Sequence, residues 1–324
     1  MPVMPRTFAM LQAIQYEMQR DPMIVYSQQL SIAAATRPDG KSINLLTEFG
    51  IDRMMNRLGQ PIDEDWMANT TIGYGLTGHP AIVNIPTMTT MWAVDFVSAQ
   101  AGMVRGQTGG AVSCQAVLWI GGPGRVGSPS VHANVGTEVA YTWMPGVAVV
   151  APHLVYDAKG LMAAAIRSGQ TVVLFNYVTE ASADIPDEPF VVPIGKAQIL
   201  KEGADVTIAT IPPANLEVEK ALPLLEKEGI KAEYFDPRTL KPFDEETLVK
   251  SVKKTGKLFA TNYQYWSSNF GGHMAAVAAM GVPGSKFWMT SYPDATPPFN
   301  RTMATWMVPD APKIVDAVRK FVRM

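Results

Sequence analysis

Three adjacent carboxylates form a dense group of chemically active side chains before a glycine-rich segment. Asp63, Glu64 and Asp65 precede a segment of small residues and glycines at 67–78. Like charges at such spacing raise the pKa of a carboxyl group, which favours a role in holding a proton. A carboxylate at this place also suits the N-terminus of a helix predicted at 67–76. Glu64 is therefore a candidate catalytic acid or a helix cap.

The histidines are the second group that suits proton transfer. His132 lies in a glycine-rich loop at 121–136, where an imidazole is exposed to a reacting group or simply to solvent. His79 lies in a predicted turn, His153 at the end of a predicted strand and His273 in a predicted helix. We interpret these three as structural.

Short apolar runs alternate with helical patterns and place these residues in an α/β fold. Their nearly continuous apolarity is typical of parallel strands covered on both faces. Helices are predicted at 92–106 and 156–168. The strands predicted in the first half lie at 23–28, 81–86, 115–122, 147–152 and 171–178.

A second alternating unit follows a stretch rich in proline and acids at 180–195. We predict domains at 1–180 and 201–324, joined by a linker at 181–200. Both are predicted to be α/β domains with parallel sheets. The strands predicted in the second half lie at 205–210, 231–236, 258–263 and 286–292. The helices lie at 215–229, 244–256 and 271–281, with a last helix from 311.

Composition restricts the function classes. The chain has 324 residues, 47% hydrophobic and 17% charged, with a formal net charge of −2. No basic stripe suits nucleic acid, and no apolar run reaches the length of a membrane helix. Cys114 is the only cysteine, which excludes an internal disulfide and a cysteine zinc site. We expect a cytoplasmic protein, and the 19 methionines indicate a large subunit interface.

Motifs along the whole chain resemble one family. Residues 61–64 read PIDE, and the β chains of the decarboxylating component of 2-oxoacid dehydrogenase complexes carry Pro-Ile-(Ser/Thr/Ala)-Glu before a glycine-rich helix. Residues 144–167 resemble the family's Pro-Gly-x-x-Val-Val-x-Pro…Asp-Ala-Lys-Gly-Leu…Ala-Ile-Arg passage. Residues 193–210 and 235–258 follow its second domain. The resemblance implies a transketolase-like pyrimidine-binding domain followed by a transketolase C-terminal-like domain.

The resemblance also implies a cofactor and roles for individual residues. In the family the glutamate hydrogen-bonds the aminopyrimidine of thiamine diphosphate and starts its ionisation, which assigns this role to Glu64. A loop histidine faces the reacting carbonyl. Counting forward from Gly124 assigns this role to His132, and counting back from Pro145 points to Ala133 instead; we take His132.

The family's aromatic residue that packs on the pyrimidine falls at Thr89 in this sequence. Met88, Met91 or Trp92 would take its place. The resemblance further implies a potassium ion held through the backbone of residues 165–170. Ala165 and Ile166 match the family, whereas Ser168 and Gln170 replace Asp and Asn.

No Gly-Asp-Gly segment occurs in the chain. In such enzymes that segment holds Mg²⁺ against the diphosphate. We therefore expect the magnesium on an α-type partner chain, in an α2β2 heterotetramer. A lipoyl acyltransferase would be the acceptor if the dehydrogenase role persists.

Several positions depart from the family. The Gly-Glu-Asp-Val after the first strand is Ser-Gln-Gln-Leu at 27–30, and a histidine before Pro145 is Trp143. The Glu-Glu-Gly of the second domain is replaced within 262–266. These changes indicate a larger or less acidic pocket than for pyruvate. Alternatives to the dehydrogenase role are a split transketolase or carboligase that forms acyloins without lipoamide, and a non-catalytic β-like subunit.

Overall fold

A computed structural model describes residues 1–28, 33–55, 63–86, 93–121, 136–177 and 179–324. The described strands, in chain order, are β1 Val3–Pro5, β2 Val25–Gln28, β3 Ala34–Thr36, β4 Ser42–Asn44, β5 Ala81–Pro86, β6 Ala116–Gly121, β7 Val147–Val150, β8 Thr171–Asn176, β9 Ser182–Asp184, β10 Gln198–Lys201, β11 Val206–Thr210, β12 Ala232–Asp236, β13 Thr239–Lys241, β14 Lys257–Tyr265 and β15 Lys286–Tyr292.

The described α-helices are α1 Arg6–Arg20, α2 Leu45–Phe49, α3 Glu64–Gly75, α4 Val104–Gln107, α5 Glu138–Thr142, α6 Val155–Arg167, α7 Asn215–Lys227, α8 Glu245–Thr255, α9 Phe270–Gly281, α10 Arg301–Met307 and α11 Ala311–Val322. A 3₁₀ turn lies at Ile51–Arg53 and a π-helix at Phe96–Gly102. No described helix has the length and apolarity needed to span a bilayer.

The chain divides into two compact units. Within the described residues, the first comprises 1–121 and 140–194, and the second comprises 136–139 and 195–324. The first unit contains a parallel sheet with strand order β7-β8-β6-β5-β2. Helices α1 and α6 pack on one face of this sheet, and α3 and the π-helix lie against the other. Both faces are therefore covered, which explains why β6 and β8 are apolar and buried along nearly their whole length.

The second unit is built around a sheet with strand order β10-β12-β11-β14-β15. Strands β12, β11, β14 and β15 are parallel, and β10 pairs antiparallel with β12 at the edge. Helices α7 and α11 pack on one face, while α8 and α9 contact the other. The α/β class with parallel sheets predicted from the sequence is confirmed, with the antiparallel β10 as an addition.

Local signals set the helix ends in the second unit. Asp244 precedes α8, and its side chain accepts a hydrogen bond from the backbone N–H of Thr247 at 3.2 Å. Gly256 ends the helix with a φ of 69°, a left-handed conformation that suits glycine. The predicted helix at 244–256 therefore matches α8 closely.

The segment at 181–194 differs from the predicted linker because it packs against the first unit. Its strand β9 pairs antiparallel with β1. The carboxylate of Asp187 accepts hydrogen bonds from Gln12 at 2.6 Å and from Arg37 and Lys41 at 3.0 Å. Burial alone would raise the pKa of Asp187, but the hydrogen bonds from Gln12 and Lys41 and the nearby positive charges outweigh it and lower this pKa to about 2. Composition predicted a connecting segment, because the residues that bond Asp187 are distant in the sequence and a local pattern does not reveal them.

Candidate functional site

Glu64 is the first residue of α3, and it does not cap the helix. Asp63 is the N-cap, and its side chain accepts a hydrogen bond from the backbone N–H of Trp66 at 2.9 Å. The Glu64 side chain is buried, with 5% of its surface exposed, whereas Asp63 and Asp65 are exposed. The capping alternative for Glu64 is therefore wrong. Glu64 is therefore a buried acid at the start of the helix that is distinct from the helix cap.

The position of α3 places Glu64 at one edge of the first sheet. A short turn at 76–80 connects the end of α3 to the start of β5, and α3 packs against β5 and β6. Since helix and strand run in opposite directions, the first residue of α3 lies toward the carboxyl end of β5. Parallel α/β sheets bind their ligands outside the carboxyl ends of the strands. Glu64 thus lies at the edge of the sheet where a ligand is expected.

Asp65 is influenced by the two acids that precede it. Burial raises the pKa of Asp65, and the negative charges of Asp63 and Glu64 raise it further. All three acids lie at the positive end of the α3 dipole, which favours negative charge there. The N-terminus of the helix therefore compensates for part of the repulsion within the group.

Ser27 lies near the same edge and was not recognised from the sequence as a site residue. Its neighbour Tyr26 packs into the core with α1 and α6, so the alternation of β2 directs Ser27 to the face covered by α3. The Ser27 side chain is fully buried, and its Oγ has no hydrogen-bond partner among the described residues. An unpaired buried hydroxyl costs about 1–3 kcal/mol. The replacement of the family's glycine by Ser27 was the signal in the sequence.

The other residues assigned to catalysis and to the pyrimidine pocket lie outside the described part of the chain. These residues are His132, Thr89, Met88 and Trp92. The structure therefore leaves their assignment as a prediction. Trp143, which replaces a family histidine, is described and is 64% exposed.

The remaining histidines make contacts that suit a structural role. The backbone carbonyl of His153 accepts hydrogen bonds from Arg6 at 2.8 Å and from the Thr179 hydroxyl at 2.6 Å. His273 lies edge-on to the ring of Phe243 at 5.5 Å. These two histidines thus contribute to packing and to backbone contacts.

The turn after α6, where the family resemblance predicts a potassium ion, contains hydrogen bonds from two hydroxyl groups. The Ser168 hydroxyl donates to the carbonyl oxygen of Ala165 at 2.7 Å and lies 3.5 Å from that of Gln170. The hydroxyl of Ser113 donates to the carbonyl of Gly169 at 2.7 Å. A potassium site of this kind needs backbone carbonyl oxygens directed at the ion. The carbonyls of Ala165 and Gly169 each accept a hydroxyl hydrogen bond, and the potassium site stays a prediction.

Within the described ranges, no group of three or more His, Cys, Asp or Glu side chains is arranged to hold a metal ion. The carboxylate of Glu64 and the hydroxyl of Ser27 are instead suited to hydrogen bonds with an organic ligand. A carboxyl group and a hydroxyl group supply both donors and acceptors. A buried carboxyl group such as that of Glu64 can hydrogen-bond a nitrogen of a heteroaromatic ring, and the aminopyrimidine of thiamine diphosphate carries such nitrogens.

Comparison with known proteins identifies the family. The pyruvate dehydrogenase E1 component subunit beta of Rickettsia bellii is 30% identical over 321 residues, which cover 96% of each chain. This chain belongs to the family of pyruvate dehydrogenase E1 β subunits. The corresponding subunit of Bacillus subtilis is 29% identical over 286 residues, 85% of this chain and 86% of the relative.

The second unit and the overall fold match the same group. Residues 195–314 match the family described as transketolase, C-terminal domain. A solved structure described as a split gene transketolase, inactive beta4 tetramer, superposes with a TM-score of 0.79 at 18% identity. That match covers 99% of this chain and 98% of the other, and it confirms the transketolase-like fold.

Proposed function

We propose that this E1 β-family chain is the β subunit of a heteromeric thiamine diphosphate enzyme. It would cleave or decarboxylate a 2-oxo acid or an α-diketone and transfer the resulting acyl or aldehyde unit. The observation that carries the proposal is the Glu64 carboxylate, which is buried at the start of α3 while Asp63 caps the helix. Membership of the family supports the proposal.

Glu64 has a specific role in this chemistry. When bound, thiamine diphosphate supplies a nucleophilic carbon that attacks the substrate carbonyl and accepts electrons from the broken bond. Glu64 would hold a proton between its carboxyl group and the far ring nitrogen of the aminopyrimidine. The low water content around a residue that is 5% exposed strengthens such a hydrogen bond. Glu64 would in this way hold the proton on which ionisation of the bound cofactor depends.

The remaining site roles follow from the family resemblance. His132 would donate or accept a proton at the reacting carbonyl, and Thr89, Met88 and Trp92 would line the pyrimidine. The expected result is that His132→Ala slows acyl transfer more than cofactor activation, as stopped-flow measurement of the two half-reactions would reveal. Normal rates for both half-reactions would move this role to another residue.

The second half of the site requires a partner chain. The absence of Gly-Asp-Gly from the sequence leaves the diphosphate and Mg²⁺ to an α-type chain. The assembly would be a cytoplasmic α2β2 heterotetramer, with a lipoyl acyltransferase as acceptor in the dehydrogenase role. The pyrimidine-binding domain would correspond to 1–180 and the C-terminal domain to 201–324.

A second candidate function is a split transketolase or carboligase that forms acyloins without lipoamide. The exposed Trp143 in place of a family histidine favours it, since the rim of the site has changed. The fold match to a protein described as a split gene transketolase supports the same candidate. The products distinguish the two functions: ketol formation from two carbonyl compounds without lipoyl protein supports the carboligase.

The first test is calorimetric titration of thiamine diphosphate with Mg²⁺, using the chain alone and then mixed with the product of an adjacent gene that carries Gly-Asp-Gly. Binding only in the mixture supports the split site and leads to a screen of 2-oxo acids and diketones. Tight binding to the isolated chain would contradict the assignment of the diphosphate half to a partner. Binding in neither sample, with both chains folded and associated, would favour a non-catalytic subunit.

A further inference from the structure

The second unit contains a cavity of about 480 Å³ at the carboxyl edge of its sheet. The cavity lies where β14 and β15 end and where the turn between α10 and α11 begins. Its volume falls in the range of small-molecule sites, and its position is the one that open α/β sheets use for ligands. Residues that line the cavity include Trp266, Thr290, Asp294, Met307, Val308 and Lys313.

A row of threonines leads from the sheet to the cavity. Thr210 on β11, Thr261 on β14 and Thr290 on β15 are register partners in adjacent strands, and their side chains share one face. The hydroxyl of Thr290 donates to that of Thr261 at 2.9 Å. Thr210 and Thr261 are fully buried. The hydrogen bond between Thr290 and the buried Thr261 thus connects the cavity to the core of the sheet.

The wall of the cavity is aromatic and apolar. Trp266 remains 57% exposed at its rim, while Val308 is buried beside Tyr292 in a small cluster that also includes Met307. An indole face exposed at the edge of a concave apolar surface suits a flat hydrocarbon group. It also suits a cation, which the electrons of the ring attract.

Two charged residues line the cavity, Lys313 and Asp294, and their hydrogen-bond partners differ. The Lys313 ammonium donates to the carbonyls of Trp306 at 2.5 Å and Val308 at 2.9 Å, and it lies 3.4 Å from the Asp310 carboxylate. Its charge is thus matched by nearby oxygens. The Asp294 carboxylate, in contrast, has no cation beside it among these contacts. Its Oδ1 accepts hydrogen bonds from the backbone N–H and the hydroxyl of Ser267 at 3.0 and 2.9 Å.

The two hydrogen bonds from Ser267 fix the Asp294 carboxyl group. Its other oxygen, Oδ2, accepts no hydrogen bond within the described residues and is available to other donors. Asp294 is exposed and lines the cavity beside Trp266. An ammonium group at this place would donate to Oδ2 and contact the indole face together. The two interactions reinforce each other because the carboxylate is already held in place.

We propose that this cavity is a binding site for a small organic cation, a primary amine on an apolar or aromatic body. The ammonium group binds Asp294 and Trp266, and the apolar body packs against Met307 and Val308. This site belongs to the second unit and does not depend on the proposed thiamine diphosphate chemistry.

The test uses benzylamine as the probe on the full chain, with benzyl alcohol and benzoate as neutral and anionic counterparts of similar size. Isothermal calorimetry at neutral pH should detect binding of benzylamine. The affinities of the other two compounds should be at least about tenfold lower. Asp294→Asn should weaken benzylamine binding by about tenfold and Trp266→Ala by about threefold.

Matched controls separate binding from folding. Asp316→Asn removes an exposed acid of α11 that pairs with Lys320, and Trp306→Ala removes a 76% exposed indole that does not line the cavity. Both controls should bind benzylamine as the wild type does. Asp294→Asn retains an oxygen for the Ser267 donors, and a thermal melt should therefore match the wild type. Equal binding of benzyl alcohol, unchanged binding by Asp294→Asn or no benzylamine binding would overturn the proposal.

Discussion

Asp63 and Glu64 are adjacent, and the structure assigns them separate tasks that mutation can distinguish. Asp63→Ala removes the side-chain oxygen that accepts from Trp66 at 2.9 Å. Loss of such a cap costs about 1 kcal/mol. For a domain of roughly 150–250 residues, this corresponds to a fall in melting temperature of about 2–4 °C. Glu64→Gln preserves the size of a buried side chain and leaves the helix cap intact. We therefore expect its melting temperature to change by much less than about 2–4 °C.

The two variants should behave in the opposite way in turnover. Replacing the Glu64 carboxyl group by an amide removes the proton that the proposed mechanism shares with the aminopyrimidine. Removal of one such preorganised polar group typically lowers kcat by about 10²–10³-fold. Asp63→Ala should stay within about threefold of the wild type, since Asp63 is exposed and bonds only the helix end.

The assay combines melting followed by far-ultraviolet circular dichroism with thiamine diphosphate-dependent turnover in the reconstituted mixture. Asp65→Asn serves as a control that removes an adjacent exposed charge. Two results would contradict the catalytic role of Glu64: normal turnover by Glu64→Gln, or a fall in its melting temperature as large as that of Asp63→Ala. Either outcome would make Glu64 a structural residue of α3.

Three further predictions follow from individual contacts. Asp187→Asn should lower the free energy of unfolding by about 1 kcal/mol at pH 7, a value discounted because the carboxylate is 36% exposed. Its pKa is lowered from 3.8 to about 2, so the difference from wild type in urea melts should shrink as the pH falls below about 4. Ser27→Ala should weaken thiamine diphosphate binding in the mixture by about tenfold. The chain alone should melt at the same or a higher temperature, because the substitution removes an unpaired buried hydroxyl. A lower melting temperature with unchanged binding would contradict this prediction. The melting temperature of the wild type should be equal in potassium chloride and in choline chloride. Ser168→Ala should lower the free energy of unfolding by about 1 kcal/mol, because it removes the hydrogen bond to the Ala165 carbonyl. A higher melting temperature in potassium chloride alone would contradict a turn stabilised by the Ser168 hydroxyl without an ion.

The sequence predicted most regular elements because their signals are local. The predicted strand at 81–86 coincides with β5, and the predicted helix at 215–229 contains α7. Continuous apolar runs and helical periodicity depend only on neighbours in the chain. The same holds for the capping signals, so Asp244 and Gly256 bound a helix whose ends were predicted correctly.

Two of the strands that the sequence missed depend on distant partners. Strand β9 pairs with β1 across about 180 residues, and β10 joins the second sheet in the antiparallel direction. A proline-rich composition at 181–194 does not reveal that Asp187 bonds Arg37, 150 residues away. Local patterns therefore favoured a linker where long-range hydrogen bonds stabilise a packed segment.

The candidate site combines both kinds of information. The motif at 61–64 identified Glu64, yet the sequence left open whether its carboxylate capped α3. Only the geometry of Asp63 and Trp66 resolves this choice, because one N-cap satisfies the helix and leaves the next carboxylate to another task. The helix end is thus capped without the Glu64 side chain, and the proposed function assigns that buried carboxyl group to the cofactor.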